Sequence, residues 1–131
     1  MKSIFKPGDK KYHSKQITAS DLASFGDDNV HPVCSTFTLA REMEWASRLF
    51  VLEMLDDDEE GIGTKLEINH KSPAIIEEEL IIEAVVNSID QHEIICDISV
   101  SVVDRLIATG VTGQKILKKS KIDRLISKIQ K

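Results

Sequence analysis

The sequence predicts an α+β domain in which a curved antiparallel sheet wraps around one long helix, and three observations carry that prediction. Apolar residues between about Thr38 and Leu55 recur at helical spacing; beyond Gly61 the period changes to two; and the strand candidates that follow are joined by connections short enough for hairpins. A shorter amphipathic stretch at the end predicts a C-terminal helix. The 131 residues suit one domain over 1–131, with residues 1–32 as an N-terminal strand and short helix or loop, and 119–131 as the C-terminal helix.

In chain order, Lys10 to Thr18 reads as a strand and Ser20 to Phe25 as a short helix capped by Ser20, which Gly26 to Asn29 then breaks. The long helix carries Leu39, Met43, Ala46 and Phe50 on one stripe and Trp45, Leu49 and Leu52 on another. Apolar residues over so much of its circumference predict a central, largely buried helix. After the acidic turn Asp56 to Gly61, Leu66, Ile68 and His70 share one face of a strand and Lys65, Glu67, Asn69 and Lys71 the other. Glu79 to Ile89 is rich in β-branched residues. His92 to Asp104 points Ile94, Cys96, Ile98, Val100 and Val102 inward, and Leu106 to Leu117 is interrupted by Gly110 and Gly113. Lys121 to Gln130 is the last helix, with Ser120 and Asp123 spaced as a capping box and an Ile/Leu stripe expected to dock on the body.

Composition narrows the classes of function. The chain is 41% hydrophobic and 30% charged, has no apolar run near the length of a membrane span, and opens on a basic, polar segment unlike a secretory leader. A cytoplasmic protein is the expectation. Cys34 and Cys96 form no CxxC pair and read as buried free thiols. The net charge of −5 makes nucleic acid a poor partner; Lys115 to Lys131 nevertheless carries +6, leaving −11 for the remainder.

Several side chains carry chemistry. Desolvating a carboxylate raises its pKa and makes a usable base near neutrality, so Glu44 between Met43 and Trp45 is a candidate. The plain alternative is a surface ion pair, because Arg41 and Arg48 lie three and four residues away. His70, on an apolar strand face, requires a partner, for which a carboxylate on the helix is the expectation. Thr36 reads equally as the N-terminal cap of the long helix. Asp56, Asp58, Glu60, Gly61 and Glu67 approach the spacing of a calcium loop, but no helix follows, so a solvated turn is expected; His13, His31 and His92 lack ligand spacing, and no metal site is predicted.

Thr36 followed eight residues later by Glu44 in Met43-Glu44-Trp45-Ala46, and then Gly63-Thr64 followed by His70, resembles the fluoroacetyl-CoA thioesterase-like family of hot-dog proteins, from about Val33 to the C-terminus. The resemblance implies a hot-dog fold and hydrolysis of a small acyl-CoA thioester, with no cofactor beyond the coenzyme A of the substrate. It carries catalytic roles to Thr36, Glu44 and His70 and places Gly63 and Thr64 near the substrate. Where the family's namesake has a His-x-Arg element, this chain has Thr112-Gly113-Gln114, which makes Gln114 a substrate-binding candidate without the positive charge. The segment leading into Thr36 offers only Phe25 as an aromatic, a departure from the namesake's aromatic lid. Lys118, Lys119 and Lys121 are candidates for the coenzyme A phosphates.

Eight residues of continuous helix span about 12 Å, too far for Thr36 and Glu44 to act on one carbonyl. Either the helix starts after Thr36, or two subunits build the site, and a homodimer is the expectation. A module that binds an acyl-CoA without turnover is the alternative reading; it would retain ligand without releasing thiol.

Overall fold

The structure is a computed structural model that describes residues 1–25 and 28–130, with backbone alone at 24–25 and 28–31. Strands β1 (Lys10–Gln16), β2 (Leu22–Phe25) and β3 (Asp28–Cys34) precede helix α1 (Thr36–Met54). Then come β4 (Glu59–His70), β5 (Glu79–Asp90), β6 (Glu93–Val102), β7 (Arg105–Lys118) and helix α2 (Lys119–Ile129). The main sheet is antiparallel with strand order β1-β5-β6-β7-β4, and β2 with β3 forms a separate hairpin.

Periodicity explains the core. Leu39, Met43, Ala46 and Phe50 are fully buried against the sheet, and Ile94, Cys96, Ile98, Val100 and Val102 alternate inward from β6, as their spacing predicts. Phe5 closes one end, its ring edge-on to Phe50 at 4.9 Å. Both cysteines are buried; burial pushes the Cys34 thiol up to about 11 and that of Cys96 to about 12, so neither is a nucleophile near neutral pH.

The second stripe of α1 behaves differently. Trp45 is 43% and Leu52 45% exposed, so the helix is buried on its sheet-facing side and open on the other, rather than enclosed all round. Strand β4 lies at the edge of the sheet, which leaves Leu66 exposed where alternation predicts an inward residue.

Local hydrogen bonding accounts for three further differences. Ser20 to Phe25 is not a helix: Ala19–Asp21 makes one 3₁₀ turn, Asp21 accepts from the Thr18 N–H at 2.8 Å, and the chain then extends into β2. The cap of α1 is Ser35, whose Oγ accepts from the Thr38 N–H at 3.0 Å, leaving Thr36 as the first helical residue. The Ser120/Asp123 capping box does not form, because α2 already starts at Lys119 with Lys118 as an N-cap that makes no side-chain bond. Nor does α2 dock along its stripe: none of its residues is buried, and Leu125, Ile126 and Ile129 are exposed. Ser35→Ala should cost about 1 kcal/mol by orphaning the Thr38 N–H, read as a fall in Tm of about 4 °C.

Candidate active site

Thr36 and His70 meet. The Thr36 hydroxyl and His70 Nδ1 share a hydrogen bond of 3.1 Å, joining the start of α1 to the end of β4. The partner of His70 is therefore a hydroxyl and not the expected carboxylate, and both residues are exposed. Because α1 is continuous from Thr36, Glu44 lies about 12 Å further along it. The first of the two geometric routes, a helix beginning after Thr36, is thereby removed.

Glu44 sits half-buried against Gly63. A Cβ built on Gly63 would lie 2.8 Å from Glu44 Oε1, so only the absence of a side chain on β4 lets the carboxylate occupy its position. A bulge between Gly63 and Lys65 resets the alternation of β4, which brings Gly63 to the same face as Ile68 and His70. The proposed surface ion pairs are not made. Arg48 donates to Glu60 at 2.9 Å, and Arg41 lies 3.6 Å from Asp21. Glu44 has no ion-pair partner within 4.0 Å among the described residues. The Gly61 N–H and then Arg48 hold the Glu60 carboxyl below the ordinary carboxylate range.

A cavity of about 490 Å³ opens beside Glu44, bounded also by Trp45, Arg48, Gly63 and Gln114. Gln114 is 4% exposed and donates to the Glu44 carbonyl at 3.1 Å and to Ser47 Oγ at 2.8 Å. Its amide thus clamps the helical turn that carries Glu44 onto β7. Thr64 points the other way: its hydroxyl donates to Glu93 at 2.5 Å, on the sheet face turned from α1 where Gly113 also lies. Lys118 is bound to Asp58 at 2.6 Å and lines a different cleft, and Lys119 is exposed outside both. The Phe25 side chain lies outside the described residues.

Two wall residues escape a reading by ligand spacing. His13 Nε2 is buried without a hydrogen-bond partner, 3.5 Å from buried Glu42, and both line the cavity beside Glu44. The signal for His13 is the alternation of β1, in which Lys11, His13 and Lys15 turn inward between exposed neighbours. Asp56, Asp58 and Glu60 of the acidic loop each hold a cation, the N-terminal ammonium, Lys118 and Arg48. Among the described residues no three His, Cys, Asp or Glu side chains converge as metal ligands.

With this geometry in place, the profile of the fluoroacetyl-CoA-specific thioesterase family matches residues 17–120. The chain belongs to this family. A hypothetical protein of Thermus thermophilus described as a thioesterase superfamily member is 26% identical and superposes with a TM-score of 0.91 over 95% of this chain and 93% of that one. A mutant of the family's FlK in complex with fluoroacetate and CoA is 15% identical, with a TM-score of 0.84 over 90% and 99% of the two chains. A 1,4-dihydroxy-2-naphthoyl-CoA thioesterase from Synechocystis follows at 15% identity, TM-score 0.68, and 85% and 84% coverage. The last two likenesses are of fold, and that fold is the hot-dog. Comparison with curated proteins found no sequence match. No helix among the described residues is long and apolar enough to cross a membrane.

Proposed function

We propose that this family member hydrolyses a small acyl thioester of coenzyme A to a carboxylate and free thiol, with Glu44 as the reacting carboxylate. The observation that carries the reading is Glu44 itself. It stands on a cavity wall with no ion pair among the described residues, while both neighbouring arginines are engaged elsewhere. An unpaired carboxylate facing a cavity can take a proton from water or attack the carbonyl carbon directly. His70, oriented by Thr36, would return a proton to the departing thiolate. Thiol release from short and medium acyl-CoAs tests the assignment; retention of ligand with no thiol released would replace it with a binding role.

The 12 Å between Glu44 and the Thr36–His70 pair supports a homodimer as the working unit. Strand β4 offers twelve residues of edge, with Ile62 and Leu66 exposed on it. Antiparallel pairing of two such edges about Glu67, with the Gly63–Lys65 bulge counted as one step, sets Gly63 opposite His70 of the partner subunit. That pairing would complete the site across the interface. Leu66→Lys should convert the dimer to monomer and lower thiol release in parallel, measured by light scattering and assay on the same samples. A wild type of monomeric mass with full activity would remove the dimer from the reading.

A further inference from the structure

A second cleft, of about 340 Å³, lies at one end of the sheet, where β7 runs into α2. It is bounded by His92 in the β5–β6 turn, by Glu59, by Lys115 and Lys118 of β7, and by Lys121 in the first turn of α2. Three ammonium groups and an imidazole thus surround one concavity in a chain whose net charge is −5.

Their partners cancel only part of that charge. Glu59, the one carboxylate of the lining, lies 2.8 Å from the N-terminal ammonium. Lys118 is held by Asp58 at 2.6 Å, which fixes its position. Lys115 and Lys121 have no ion-pair partner among the described residues. For Lys115 this is a departure from what the sheet offers. The register sets it directly opposite Glu93, where opposite charges ordinarily close across strands, yet Glu93 takes the Thr64 hydroxyl instead. Lys115 is therefore left facing the cleft on the side of β7 opposite to inward-pointing Gln114 and Ile116.

Lysines on one concavity act as point charges for phosphate oxygens, and the two unpaired ones, Lys115 and Lys121, exceed what a single carboxylate would occupy. We propose that this cleft binds an oligophosphate group through Lys115 and Lys121, beside the Asp58-held Lys118. The cleft shares no lining residue with the cavity beside Glu44, so the site is distinct from the cavity where hydrolysis is placed. The phosphates come either from the nucleotide end of a coenzyme A thioester reaching round the end of β4 or from a free ligand.

Calorimetric titration with inorganic pyrophosphate and with CoA, on wild type, Glu44→Gln and the double variant Lys115→Gln/Lys121→Gln, tests the assignment; circular dichroism checks each fold. Pyrophosphate should bind wild type and Glu44→Gln alike, and the double variant about tenfold or more weakly. A parallel loss of CoA affinity identifies the thioester's own phosphates as the source, whereas CoA binding unchanged beside lost pyrophosphate binding identifies a free ligand. Pyrophosphate that fails to bind wild type, or binds the folded double variant equally well, overturns the proposal. Either result leaves the Glu44 assignment to its own assay.

Discussion

Glu44→Gln should lower kcat for acyl-CoA hydrolysis by about 10³-fold, within the range for loss of a general base or nucleophile. Stability should change by less than about 0.5 kcal/mol. The asymmetry follows from the partners. Glu44 makes no ion pair among the described residues, so neutralising it strands no buried cation, and the amide keeps nearly the shape that fits against Gly63. The Gln114 contacts are to the Glu44 backbone carbonyl and Ser47, and survive the exchange. KM should move little, because the group acts on the reacting atoms rather than on the body of the ligand. Arg48→Gln is the contrasting control: it takes the guanidinium from Glu60 and should cost stability more than turnover. Thiol release by Glu44→Gln at the wild-type rate would remove the carboxylate from the mechanism.

What the sequence makes legible here is local periodicity. The inner stripe of α1 and the alternation of β6 follow from spacings of 3.6 and 2, which act within one element and need no knowledge of the rest. Choices between neighbours are less legible. Ser35 and Thr36 are adjacent hydroxyls, and either could cap α1 until the backbone turns. Arg41 and Arg48 are within reach of Glu44 along the helix, yet their long side chains settle on Asp21 and Glu60, carboxylates brought near only by folding. The position of β4 at the sheet edge is likewise a property of strand order. It exposes Leu66 despite an alternation that reads as inward. Thr36, Glu44, Gly63 and His70 can be picked from the sequence as candidates, but their division into a Thr36–His70 pair and a Glu44–Gly63 pair cannot, because it depends on where the helix begins.

Gly110→Ala should be the most damaging substitution to the fold, costing about 3 kcal/mol or more through forced overpacking and lowering Tm by about 12 °C. A Cβ at Gly110 would stand 2.1 Å from the Glu67 carbonyl oxygen and 2.4 Å from Met43 Cε. Neither can retreat cheaply. The oxygen belongs to the β4 backbone where it pairs with β7, and Met43 is fully buried on the inner face of α1. Gly113→Ala is the informative comparison: its Cβ would meet Thr64 Oγ1 at 2.8 Å and Ile95 Cδ1 at 3.0 Å, side-chain ends that can turn, and the backbone-fixed Lys65 Cβ only at 3.0 Å, so its cost should be smaller. Thermal melts of the two variants should therefore separate clearly, and equal losses would show that backbone crowding is not the cause. The same crowding reaches the site. Displacing β4 from β7 at Glu67 moves the strand three residues before His70, whose bond to Thr36 depends on that strand staying in place, so the surviving folded fraction of Gly110→Ala should also turn over more slowly.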